Sequence, residues 1–310
     1  MRNAIVRLIK SIATSKLFFD FFYKKNRAIP VVMYHGISEY NAITPELLEQ
    51  QFAWISKNFT SYFVSQIHEA NARPNTKPII LTFDDGLRNS AKYVEPLLKK
   101  YHLKATFYIV SGLLSGRDFL WNHEFLIRLE SLPLGLRKDV FGAASIEAKR
   151  FVENLKKQPH DEVQMLLKKL RELTANLVYT DEQLSKHLIM SAEEVAKLDG
   201  TLIEIGAHTD SHPILNNLPI KNAINEIKTS KLKLEELTGK KVHSFCYPNG
   251  DYNKELDQLV GNVFDFVVTT KSDLMNSELY SYTEIPRISS FANLVDFKFN
   301  LIKPMRYEVA

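Results

Sequence analysis

Cysteine is nearly absent: the chain of 310 residues has one, Cys246. A single thiol excludes an intramolecular disulfide, so nothing in the fold depends on an oxidising compartment. It also argues against structural zinc, whose cages more typically use several cysteines. A strong excess of one charge is missing too, the formal net charge being +4. That leaves room for an anionic substrate or a membrane surface, and no basic stripe interleaved with aromatics points to nucleic acid. Near the start, Lys10, Lys16 and Asp20 break what would otherwise be an apolar run, so no ordinary transmembrane span forms there. Repeats, low-complexity tracts and Gly/Ser-rich linkers are absent as well. The hydrophobic share of 45% and charged share of 25% are those of an ordinary globular chain, long enough to bury one large core.

The opening stretch "MRNAIVRLIKSIATSKLFFDFFYKK" is basic and apolar without a small-residue cleavage site. Residues 1–27 read as a basic amphipathic helix. Ile5, Leu8, Ile9 and Ile12 share a face, and Phe18, Phe19, Phe21 and Phe22 add a second apolar turn. Such a helix either lies in a membrane interface or packs on the protein's own surface.

Residues 28–310 read as one domain. "AIPVVMYHGIS" is a buried strand, Ile29 to Tyr34, that delivers His35 at its end. "TPELLEQQFAWISKNF" has the helical i, i+3, i+4 rhythm, with Thr44 as cap and Pro45 in its first turn. "KPIILTF" is a strand, "SAKYVEPLLKKYHL" a helix and "KATFYIVS" a third strand. This short cycle is the mark of parallel α/β construction. It breaks after Gly112, and about 117–197 reads as a helical, charged insertion. It resumes with "TLIEIGAHT", a long helix, "KVHSFCYP", "NKELDQLV", "FDFVVTT" and a short strand around Ile285 to Ile288. Periodicity alone leaves an open sheet and a closed barrel equally available. Both put functional residues beyond the strand C-termini.

Four strands end in unusual chemistry: His35, the Asp84–Asp85 pair, "HTDSH" and "CYPNG". His208 and His212, spaced i, i+4, are able to face one point on a helical turn. With one carboxylate they form a two-His, one-Asp set suited to zinc or another divalent ion, with positions left for water and substrate. The neighbouring carboxylate stays free to move a proton. His68, His102, His160 and His187 lack this strand-end setting and read as packing or surface residues. His123, inside the aromatic "FLWNHEF", reads the same way.

"TFDDG", "HTDSHP" and "YPNG" resemble the motifs of the polysaccharide deacetylase family, the NodB-homology or carbohydrate esterase family 4 group. The resemblance spans roughly residues 28–290. It implies a distorted (β/α) barrel of fewer than eight strands, with seven expected, and the helical stretch as an elaboration. It implies metal-dependent removal of an acyl group, usually N-acetyl, from a sugar. By motif, Asp84 becomes the general base and Asp85, His208 and His212 the metal ligands. The Tyr247 backbone N–H becomes an oxyanion donor, a role Pro248 lacks the hydrogen for.

Two departures matter. No histidine follows His243, where many family members keep the acid. "VVMYHGIS" resembles the branch whose acid motif is circularly permuted to the N-terminus, which makes His35 the acid candidate. "SFCYPNG" also lacks the arginine that would orient the base, and Arg287 in "EIPRISS" is the replacement candidate. Tyr247, Pro248, Asn249 and Trp121 are the substrate-binding candidates, Trp121 and Tyr247 as stacking walls. The expected substrate is an acetylated amino sugar of a polysaccharide or of a lipid-linked or nucleotide-linked surface-glycan precursor, met in the cytoplasm or at the inner face of the cell membrane. A deformylase, an O-acetyl esterase and a silent carbohydrate-binding scaffold are the rival readings.

Overall fold

The computed structural model describes residues 10, 12, 14–26, 28–38, 42–72 and 76–302. Ile5, Leu8 and Ile9 of the expected N-terminal face lie outside them. Eight strands form one sheet: β1 (Val31–Tyr34), β2 (Thr60–Tyr62), β3 (Pro78–Phe83), β4 (Ala105–Ile109), β5 (Ile203–Ala207), β6 (Ser244–Cys246), β7 (Phe266–Val268) and β8 (Ile288–Ser289). Seven run in the order β7-β6-β5-β4-β3-β1-β8, and every pairing is parallel. The eighth, β2, lies parallel to β3 against Pro78–Ile80, whereas β4 meets β3 only at Thr82 and Phe83. The two ends of the path meet just before β8. Ile285 bridges Val268, its N–H donating to Val267 O at 2.8 Å while Thr269 N–H donates to Ile285 O at 2.9 Å. The sheet therefore curls into a distorted seven-stranded barrel.

The period of two along each strand decides what faces the barrel axis. Ile79, Leu81 and Phe83 of β3 join the cluster shared with the surrounding helices, as do Ala105, Phe107 and Ile109 of β4. Ile80, Tyr108 and Cys246 join a second, inner cluster. Thr82 and Asp84 continue the inward register of Ile80, so a carboxylate one step past β3 is aimed at the axis. Gly206 sits opposite Tyr108 in the β4–β5 register, and a Cβ there would lie 2.4 Å from the Tyr108 ring. Glycine is required for that ring to fit.

Helices cover the outside. Pro45–Asn58 starts at Thr44, whose hydroxyl accepts from Leu47 N–H, and buries Leu48, Phe52 and Ile55. Arg88–Tyr101 buries Val94 and Leu98, and Ile220–Thr238 buries Ile227 and Leu234 before ending at left-handed Gly239. Truncating one such side chain, Phe52→Ala for instance, removes about 3–5 kcal/mol of stability by the usual cavity rule. The insertion comprises the helices Trp121–Ser131, Leu134–Phe141, Ala148–Leu155, His160–Leu173, Asp181–His187 and Ala192–Ala196. It has an apolar cluster of its own, with Phe125, Leu129, Val152, Leu167 and Leu170 at its centre. The backbone bridge Leu87–Ile189 fastens it to the loop after β3, and Phe119–Leu188 ties its two ends to each other.

Candidate active site

Adjacent carboxylates at the end of β3 separate because the backbone turns between them. Asp84 keeps the extended register, its N–H donating to Tyr34 O at 2.9 Å. Asp85 (φ 76°) and Gly86 (φ 65°) are left-handed, which aspartate tolerates better than most side chains. Asp84 therefore points inward, and Asp85 points towards the β5 loop.

Arg287, 1% exposed, grips Asp84 with both prongs: Nη1 to Oδ1 at 2.7 Å and Nη2 to Oδ2 at 2.8 Å. Nε donates to Thr269 O at 2.9 Å, Nη1 also to Thr82 Oγ1 at 3.0 Å, and Nη2 also to Cys246 Sγ at 3.2 Å. A buried guanidinium with every direction engaged is a fixed fork, which lysine is unable to imitate. Burial pushes the Asp84 carboxyl up, but the Arg287 charge and hydrogen bonds outweigh it and leave the pKa below its ordinary value. Burial pushes the Cys246 thiol up, which keeps it a protonated core residue rather than a nucleophile.

Asp85 meets the two imidazoles: His208 Nε2 and His212 Nε2 each lie 3.4 Å from Asp85 Oδ1. The ligand atoms of the three buried residues all fall within 4.8 Å of one another. Bonds of about 2.0–2.1 Å in a tetrahedron put ligand atoms roughly 3.3 Å apart, so the two Asp85–imidazole spacings suit a divalent cation held by this donor set. The His208 tautomer is fixed, since Nδ1 lies 2.7 Å from the Cys246 carbonyl, an acceptor only, and must carry the proton. Nε2 is then the ring nitrogen that faces Asp85 and would supply the lone pair to a cation, the usual outer-shell arrangement of a ligating histidine. Burial works against charge on Asp85, but contacts with both imidazoles hold its carboxyl well below the usual range.

The expected helical turn for His208 and His212 is not what brings them together. Both lie in an irregular loop in which Thr209 (φ 64°) and His212 (φ 62°) are left-handed. Internal hydrogen bonds replace the helix: Thr209 Oγ1 accepts from His212 N–H at 3.0 Å. Glu226 Oε2, on the helix Ile220–Thr238, accepts from Asp210 N–H at 2.9 Å and Ser211 N–H at 2.8 Å.

A cavity of about 270 Å³ opens over this cluster. From the strand ends it receives His35, Asp84, Asp85, His208, His212, Tyr247 and Asn249. His35, its side chain 44% exposed, places Nε2 4.0 Å from Asp84 Oδ2. Pro248 is buried and does not line the cavity. The Tyr247 ring is no free wall for a sugar: it stacks on Tyr252 with centroids 4.9 Å apart and is 1% exposed. Trp121 reaches the cavity from the insertion, and its Nε1 donates to His212 O at 3.2 Å, bracing the ligand loop. Asn122, His123, Glu153 and Lys156 also line that wall and were not read as site residues from the sequence. Two contiguous "WNH" neighbours of Trp121 were the available signal. His123 packs edge-to-face on His187 at 4.7 Å, and burial, aided by His187, pushes its pKa down to about 3.

The polysaccharide deacetylase family model matches residues 71–131 and 152–263, more than half the chain. The protein YxkH of Bacillus subtilis (strain 168), whose name carries the words polysaccharide deacetylase, is 30% identical over 103 residues. That match covers 31% of this chain and 37% of YxkH, so it spans well under half of the relative's length. Among solved structures, the Streptococcus pyogenes deacetylase PplD in complex with acetate aligns at a TM-score of 0.60 and 20% identity, covering 90% of this chain and 98% of PplD. IcaB from Ammonifex degensii aligns at 0.59 and 15% identity, covering 89% and 97%. At these identities the two structures speak to the fold.

Proposed function

Because the chain belongs to the polysaccharide deacetylase family, we propose that it is a metal-dependent hydrolase that removes an N-acetyl group from an amino sugar. The observation that carries the reading is the split between neighbours. Asp85 meets two imidazoles, while Asp84 is held aside by Arg287 and remains ionised. Asp85, His208 and His212 would hold the cation, and their two-imidazole, one-carboxylate donor set favours zinc. A divalent ion bound there polarises the acetyl carbonyl and makes water more acidic.

The chain's own groups do the rest. Asp84 takes the proton from the attacking water, its orientation kept by the Arg287 fork. The Tyr247 backbone N–H donates to the oxyanion as the carbonyl carbon becomes tetrahedral. His35 gives a proton to the sugar nitrogen as the C–N bond breaks, releasing acetate and a free amine. His123 is unsuited to that task, because a group with a pKa of about 3 is neutral near pH 7. Trp121 and Asn249 border the bound sugar. An acetylated glycan or its precursor is the substrate class, and the basic N-terminal helix supports a place at an anionic bilayer face such as the cytoplasmic leaflet.

The test is acetate release from N-acetylglucosamine oligomers, nucleotide-linked N-acetylglucosamine and a lipid-linked counterpart, with N-formyl and O-acetyl sugars alongside. Turnover of an N-acetyl substrate that stops with chelator and returns with zinc is expected. Release from none of them, or release indifferent to chelation, contradicts the reading.

A further inference from the structure

The N-terminal helix Lys16–Asn26 divides its side chains sharply. Phe19 and Tyr23 are buried, Phe19 edge-on to Trp54 (5.2 Å) and Phe59 (5.9 Å). Tyr23 Oη donates to Pro78 O at 3.0 Å, and Asp20 pairs with Lys77. Pro78 opens β3, so these contacts fasten the helix to the rim of the barrel where strands begin. The same helix leaves Leu17 86%, Phe18 51% and Phe21 62% exposed, with Ile12 51% exposed just ahead of it. Leu17, Phe18 and Phe21 lie within little more than one turn of one another. Lys16 and Lys24 are exposed on the same helix, and its acid, Asp20, is already neutralised by Lys77. An exposed apolar face flanked by Lys16 and Lys24 is complementary to an anionic lipid surface, where rings and aliphatic chains enter the interface and ammonium groups meet phosphate.

We infer that the Leu17, Phe18 and Phe21 face docks the protein on an anionic bilayer with the catalytic cleft turned away from it. Asp84 and Asp85 follow the last residue of β3, and the docking helix is fastened at its first. Six residues at about 3.3 Å each separate the two rims by roughly 20 Å. This inference rests on the hydrolase reading above and narrows it: the cleft serves a sugar standing clear of the headgroups, in a free glycan or on a nucleotide, and not a single sugar on a membrane lipid.

The full chain is sedimented with phosphatidylcholine vesicles containing or lacking phosphatidylglycerol. It is expected to pellet with the anionic vesicles. The bound fraction should drop by roughly tenfold in high salt and in the Leu17→Ser/Phe18→Ser/Phe21→Ser variant. The variant keeps turnover of a soluble N-acetylglucosamine oligomer without vesicles. Failure of the wild type to pellet, or equal pelleting of the variant, overturns the docking. So does a wild-type dimer that the variant dissolves, since the face would then belong to a second copy. Vesicle-bound protein should still hydrolyse the soluble oligomer and leave lipid-linked N-acetylglucosamine in the same bilayer intact. Comparable hydrolysis of both overturns the orientation. Absence of turnover without vesicles strikes the hydrolase reading and leaves the sedimentation result standing.

Discussion

The two walls of the cleft are built on opposite terms. On the strand-end side, Asp84, Asp85, His208 and His212 are buried, and left-handed backbone at Asp85, Thr209 and His212 aims them. Charge is concentrated there and answered by a buried arginine. On the insertion side, Trp121, Asn122, His123 and Lys156 project from helices that carry a separate apolar core, and the buried titratable pair, His123 and His187, is neutral. Reactive groups need fixed geometry, which strands buried on both faces provide. A wall that only borders substrate is free to ride on an added layer. The family model leaves 132–151, inside the insertion, unmatched, but it covers Trp121, Asn122, His123 and Lys156 as it covers Asp84, Asp85, His208 and His212.

That contrast is breakable in order of effect. Arg287→Met should be the most damaging change, because it leaves Asp84 as an unpaired buried charge. The stability loss is expected at about 3–5 kcal/mol, read by denaturant unfolding, with turnover falling as well. Arg287→Lys should recover part of the stability but little turnover, since a single ammonium lacks the fork. Equal turnover in Arg287→Lys and wild type would remove Arg287 from the positioning role.

His35→Ala comes next. Amide cleavage should fall by about 10²–10⁴-fold, and cleavage of an activated ester, whose leaving group needs little protonation, by much less. Equal losses would make His35 a positioning residue.

The smallest effect belongs to the insertion and appears only with pH. Burial holds His123 at about 3, and burial with Lys186 nearby holds His187 at about 4. An exposed imidazole titrates near about 6.5, so between that pH and about 4 the unfolded chain binds protons the folded one refuses. Stability from this pair is complete above about pH 6.5 and is lost as pH falls. His187→Phe keeps the ring and removes one titration, so its Tm should decline less steeply over that window. An unchanged slope would mean that these imidazoles do not govern the acid response.

Much of the barrel was legible in sequence because parallel strands, buried on both faces, read as continuous apolar runs. "KPIILTF" became Pro78–Phe83 and "KATFYIVS" became Ala105–Ile109. The spread of polar residues at strand ends was legible for the same reason: each follows its run directly. Barrel closure was legible only through the family resemblance. The short final strand was read around Ile285 to Ile288, but a two-residue strand and the bridge at Ile285 leave no periodic signal that they close the sheet. The i, i+4 spacing of His208 and His212 misled about backbone shape, since left-handed residues and the Glu226 carboxylate, rather than helical hydrogen bonds, set that loop. Asn122 and Lys156 escaped notice, and His123 was read as packing alone, because an amphipathic helix pattern says which face is apolar, not which end meets a cleft. The Tyr247 ring misled in another way: its stacking partner Tyr252 is only five residues on, and the turn through left-handed Asn249 and Gly250 that brings the rings together leaves no periodic signal.

The central assertion is that two neighbouring carboxylates divide between cation and proton. Metal content and turnover of Asp84→Asn and Asp85→Asn, each purified without chelator, test it together. Asp85→Asn should lose the ion, and Asp84→Asn should keep about one ion per chain while losing turnover by on the order of a thousandfold. An Asp84→Asn protein that loses its metal, or that holds it and still turns over, would contradict the account.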